Sequence, residues 1–131
     1  MLSDHQWFVF GSGGGPKVVR ICRLCKVLVA ALGAHTSNVH CKQEYAAKIR
    51  HKHRIPAHDF RLLPITIEYG KVLKFSESTL GFHYWHEGYS VWYETVIKVT
   101  KHRNEIWVAT FHRQSKAEIK RKQKKYSEIP R

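Results

Sequence analysis

The sequence predicts an α+β chain: a small ββα zinc-finger-like module, an antiparallel β-meander, and a short basic C-terminal helix. Three observations predict it. A Cys-x-x-Cys knuckle, Cys22 and Cys25, lies between two β-branched stretches, and three good helix N-caps, Thr36, Ser37 and Asn38, follow it. From residue 65 onward apolar residues recur at every second position, the period of a half-buried strand. The last stretch, 115–131, holds seven basic and two acidic residues and almost nothing apolar. The expected organisation is a finger-like module over 1–54, a β module over 55–114 and a basic helical tail over 115–131.

The elements follow in order. The opening, MLSDHQWFVFGSGGG, has no basic n-region and no adequate apolar run, so no secretory signal is expected. GSGGGP at 11–16 reads as a flexible Gly-rich loop; Pro16 stands where a dinucleotide fingerprint needs its final glycine. KVVRIC (17–22) and KVLVA (26–30) suit a short hairpin with the two cysteines at its turn. Val39, Ala46 and Ile49 then recur with helical spacing, which predicts a helix over 38–53. Lys48, Arg50, Lys52 and Arg54 gather at its C-terminal end, and Ile55-Pro56 stops it.

The alternation Ile65, Ile67, Tyr69 opens the meander. KVLKF, FHYWHE, YSVWYETVIKVT and EIWVATFH continue it, with Gly70, Gly81, Gly88 and KHRN as interruptions. Ser115 and Glu118 form a capping box ahead of KAEIKRKQKK. That helix has one large apolar residue, Ile119, so it is expected to stay solvated and not dock through burial.

Charge narrows the function. Lys and Arg number 23 against 10 Asp and Glu, a net charge of +13. Residues 16–54 hold nine basic residues and one acidic, while 55–114 hold seven basic and six acidic. Clustered charge of this kind suits a polyanion, because each neutralised phosphate releases a condensed counterion. The expected partner is nucleic acid, DNA or RNA. The candidate contacts are Lys48, Arg50, Lys52 and Arg54 in the first cluster, and Lys120, Arg121, Lys122, Lys124 and Lys125 in the tail, which also reads as a nuclear-import signal. The longest apolar stretch, VLVAALGA, is too short to span a bilayer, so no membrane role is expected. The location expected is intracellular and nuclear.

Three cysteines make no disulfide framework, and the knuckle spacing favours metal. Two thiolates on a tight turn suit one tetrahedral Zn²⁺. The ligand set expected is Cys22, Cys25, His35 and His40, with Cys41 as an alternative partner of His35. A further option joins His40 with His51 or His53. In one continuous helix over 38–53, however, His40 and His51 lie roughly 16 Å apart at ~1.5 Å per residue. A thioredoxin-like redox role lacks its βαβ frame.

Segment 3–53 resembles a BED-type zinc finger. The resemblance rests on Trp7-Phe8 ahead of the knuckle, on Cys22-x-x-Cys25, and on Thr36-Ser37-Asn38-Val39 leading a helix. It covers about two-fifths of the chain. What it implies is a zinc-dependent DNA-binding module of the kind found in transposase-derived or chromatin proteins.

Two further constellations stand out. Tyr84, Trp85, Tyr89, Trp92, Tyr93, Trp107 and Phe111 are core for a small sheet or a stacking surface for unpaired bases. Neighbours such as Trp92 and Tyr93 fall on opposite faces, which leaves an aromatic surface outside the core. His83, His86, Glu87 and His112 invite a metal-dependent nuclease reading, yet their spacing matches no metal-nuclease motif. The sequence therefore favours a non-enzymatic nucleic-acid-binding protein. A protein-interaction adaptor that binds a partner through the β module is the alternative, and a small nuclease the third.

Overall fold

The computed structural model describes residues 2–131. The chain is α+β, with five α-helices and one mixed sheet of seven strands. Ser3 caps α1 (Asp4–Gly11) in a capping box with Gln6, and Trp7 and Phe10 turn inward from it. Next come β1 (Val18–Arg23), α2 (Lys26–Leu32), β2 (Asn38–Lys42) and α3 (Gln43–His53). A 3-10 helix, Ala57–Leu62, leads into α4 (Leu63–Tyr69). The meander is β3 (Lys71–Ser76), β4 (Thr79–His86), β5 (Val91–Val99) and β6 (Ile106–Gln114). The chain ends with α5 (Lys116–Lys125) and the short β7 (Ser127–Glu128).

Three local expectations are corrected. KVLVA lies in α2, not a strand. Leu28 and Leu32 are buried four residues apart, and Gly33 at φ 60° supplies the left-handed stop that a residue with a Cβ resists. Second, the helix expected over 38–53 begins only at Gln43. Thr36 Oγ1 accepts the Asn38 N–H in a local turn, and Val39 and Cys41 are buried at strand spacing. Third, 65–69 belongs to α4. Pro64 sits in its first turn, and Leu63, Thr66 and Ile67 face inward at helical spacing while Tyr69 is left 69% exposed.

The strand order is β1-β2-β6-β5-β4-β3-β7. The meander β3 to β6 is antiparallel, as its turn signals predict. β2 joins it in parallel through Val39–Ile106 and His40–Trp107, so residues of 1–54 and of 55–114 share one sheet and one core.

Alternation gives the sheet two unlike faces. Phe82, Tyr93, Ile97 and Phe111 belong to the main core together with Phe10 and Phe60. The 3-10 helix is pinned to this face by Asp59, which is fully buried, accepts the Tyr93 hydroxyl at 2.8 Å, and pairs with Arg113 at 2.8 and 3.2 Å. That ion pair holds the Arg113 guanidinium above its ordinary pKa.

The opposite face carries α5. Ile119 there is only 2% exposed, and Phe75 packs on Tyr126 with ring centroids 4.6 Å apart. Leu73 and Ile119 are buried outside the main core, so this is a second, smaller apolar cluster. Gly81 makes room for it, since a Cβ would meet the Phe75 ring at 2.3 Å. The expectation that the C-terminal helix cannot dock through burial is therefore corrected.

Candidate functional site

On the α5 side of the sheet, three adjacent strands each contribute one titratable group to a row. His83 on β4 stands opposite Glu94 on β5, and Glu94 stands opposite His112 on β6. Antiparallel pairing requires this, because directly opposed residues share a face. His83 Nε2 is 2.7 Å from Glu94 Oε2, and His112 Nε2 is 3.5 Å from Glu94 Oε1. Lys122 of α5 donates to both oxygens of Glu94, at 2.7 and 2.9 Å. Burial pushes the Glu94 carboxyl up, but the hydrogen bonds from His83 and Lys122 outweigh it and hold the group below its ordinary range. A carboxylate 1% exposed needs such partners to stay charged.

α3 brings the next group. It packs on β6, and its last residue, His53, reaches Thr110. Thr110 Oγ1 lies 3.3 Å from both His53 Nε2 and His112 Nδ1. The two imidazoles stack with centroids 4.4 Å and planes 26° apart.

Burial is the main cause that lowers the His112 pKa, to about 4. Glu94 pulls it upward, but His53, Lys122 and His83 push it further down. His53 is lowered too, first by burial and then by Lys52. Both rings are therefore neutral near pH 7 and able to accept a proton. His112 Nε2 faces the Gln114 amide at 3.2 Å and Glu94 Oε1 at 3.5 Å, and Nδ1 faces the Thr110 hydroxyl, so the neutral ring can carry its proton on either nitrogen.

Beside His53 is a pocket of about 220 Å³ lined by Tyr45, Lys48, Ile49, Lys52, His53, Ala109 and Thr110. Lys48 and Lys52 in its lining are exposed, as are Arg50 and Arg54 on the same stretch of chain. Past Gln114, which lies 3.2 Å from His112 Nε2, the same face of the sheet carries Trp92 and Trp85, with indoles 5.5 Å apart. Tyr93, its neighbour, is fully buried on the other face.

No family model, curated protein or solved structure matches the chain. Function must be argued from the residues themselves.

The expected metal ligands are dispersed. Cys22 is half-buried on β1, and Cys25 is exposed just before α2. His35 is exposed in the loop after α2, and His40 on β2 lies against Trp107 at 5.8 Å. Cys41 is buried on the opposite face of β2 from His40, beside Val19. Among the described residues, no group of three or more His, Cys, Asp or Glu side chains is arranged around a common point. Burial raises both the Cys22 and Cys41 thiols to about 12, so without a metal they stay protonated.

The structure brings together His83 and His112, and it adds His53, which the sequence offers only as a distant metal ligand. His86 lies elsewhere, stacked on Tyr89 at 4.4 Å, and Glu87 accepts from the Trp85 indole. Sequence reasoning missed Glu94, Thr110 and Tyr45. One signal for Glu94 is an acid flanked on both sides by strand residues at buried spacing; nothing local marks the other two.

In the tail, Arg121 pairs with Glu118 and Lys122 is committed to Glu94. Lys120, Lys124 and Lys125 are exposed.

Proposed function

We propose that the protein binds single-stranded RNA along this cationic, aromatic face and cleaves it at the His53–His112 pair. The observation that carries the reading is the convergence of two stacked imidazoles on the Thr110 hydroxyl. General acid–base chemistry needs such an arrangement. RNA supplies its own nucleophile, the 2′-hydroxyl, so no protein nucleophile is required.

In the proposed step, His112 Nδ1 removes the 2′-hydroxyl proton. The 2′-oxygen attacks phosphorus and the bond from phosphorus to the 5′-oxygen breaks. His53, having taken a proton from solvent, passes it to that leaving oxygen. The products are a 2′,3′-cyclic phosphate and a 5′-hydroxyl. At 4.4 Å the stacked rings leave no room for a phosphate between them. The phosphate therefore lies over their exposed edges, and His53, at the solvent end of α3, turns toward the leaving group. Thr110 holds both rings in register, and Lys52 supplies charge beside the phosphate.

Nucleic-acid binding without catalysis is the second reading, favoured by the two exposed cationic clusters alone. Incubation with labelled single-stranded RNA and matched DNA, with EDTA present, separates them. We expect RNA to be cut with cyclic phosphate ends and DNA to stay intact. Binding without cleavage leaves the second reading, whereas cleavage that returns only with a divalent cation points to a metal-dependent nuclease.

A further inference from the structure

Resting on that reading, we infer that the pocket beside His53 is a nucleobase subsite, which selects a keto base, guanine or uracil, next to the cleaved phosphate. Its volume of about 220 Å³ admits one base and not a folded helix. Its aromatic wall is Tyr45, 37% exposed although it lies on a helix packed against the sheet. Lys48 stands 5.7 Å from the Tyr45 ring centroid, and Lys42 stands 5.6 Å from the same ring. Both ammonium groups lie over the ring; a base that stacks there moves these flexible side chains to its rim, beside its own phosphate. Thr110 and His53 also line the pocket, so a base held there has its own sugar and phosphate within reach of His53.

The preference for keto bases follows from the polar groups. Lys48 and Lys52 bring charged donors and no carboxylate lines the pocket; its acceptors are neutral, the Tyr45 and Thr110 hydroxyls and His53, and the last two already bond each other. Guanine offers O6 and N7 on one edge and uracil offers O4, all acceptors. Adenine and cytosine present amino groups at the equivalent positions, where they would face the ammonium donors. Guanine, with two adjacent acceptors, ranks first.

Short 2′-O-methyl RNAs that cannot be cleaved, differing only in the central base, test the subsite apart from catalysis. We expect G and U to bind tighter than A and C. Tyr45→Ala should weaken binding of all four by roughly 5- to 100-fold, the range for loss of one stacked base, while Tyr45→Phe keeps the stack. Lys48→Gln should level the base preference while the protein stays folded. Equal binding of the four bases, no binding of any, or wild-type affinity in Tyr45→Ala overturns the inference. Base-selective binding in a protein that fails to cleave leaves the subsite standing and removes only the catalytic step. Cleavage with base-blind binding does the reverse.

Discussion

Thr110 is half-buried, and a hydroxyl in a sheet ordinarily bonds a nearby carbonyl; here it lies between two imidazole nitrogens. His53→Ala and His112→Ala should each lower RNA cleavage by about 10²- to 10⁴-fold, the usual contribution of one general acid or base, while RNA binding persists. Single-turnover cleavage set beside binding of uncleavable RNA checks this; wild-type cleavage in either variant ends the mechanism. His112 also makes a stability prediction. Its folded-state pKa of about 4 lies below the ordinary 6.5, so between those values the unfolded chain holds the proton more readily. Its contribution is full above about pH 6.5 and is lost as pH falls toward 4. Glu94, also lowered, extends the loss as pH falls below the ordinary carboxylate value of 4.5. Thermal melts from pH 7 to pH 4 should show a steady decline, and His112→Asn should flatten its upper part. Zinc is read directly by elemental analysis. One zinc per chain, lost in Cys22→Ser, is what the finger resemblance requires; protein purified without stoichiometric metal ends that reading. The sequence could name His112 and His53 as titratable residues. It could not pair them, because 58 intervening residues separate two rings whose contact depends on how α3 lies on β6.

At the scale of elements, α2 and α4 show why short apolar runs mislead. KVLVA and ITIEY fit a strand by composition, yet each is buried along a helical stripe, Leu28 with Leu32 and Leu63 with Ile67. Periodicity over five residues cannot separate the two periods, and packing against the sheet decides. The C-terminal helix was legible from its capping box, and Ser115 does accept the Glu118 N–H at 3.2 Å. Its docking was not legible, because one isoleucine gives no stripe; the burial comes from a cluster on β3 and from the Glu94–Lys122 pair. Ile119→Ala should therefore cost about 3 kcal/mol, in the range for a large buried aliphatic residue truncated to alanine. Lys122→Ala should cost a comparable ~3 kcal/mol by stranding a buried carboxylate. Urea denaturation gives both values. Hydrogen exchange should speed up over 116–125 in each variant; unchanged protection there would mean that the helix is held by something else.

For the whole molecule, charge and topology act together. The cationic clusters at 48–54 and 116–125 lie far apart in sequence, yet His53 and Lys122 bring both helices to one row of side chains on one face of the sheet. Replacing Lys48, Arg50 and Lys52 by Gln should weaken RNA binding regardless of sequence. The slope of log K against log salt should fall by about 0.7 for each lost single-strand contact. Replacing Lys120, Lys124 and Lys125 should act in the same direction, and a salt titration of each variant measures it. An unchanged slope would place the RNA elsewhere. By itself the sequence determined the α+β class, the antiparallel run from Lys71 to Gln114 and the two basic clusters. Strand alternation, turn residues and charge density are all local properties, written in consecutive residues. Only the tertiary structure decided the parallel join of β2 to β6, the helices in place of the expected strands, and the meeting of His53, Thr110, His112 and Glu94. Each of these depends on burial shared between segments distant in the chain, and no window of sequence contains both partners.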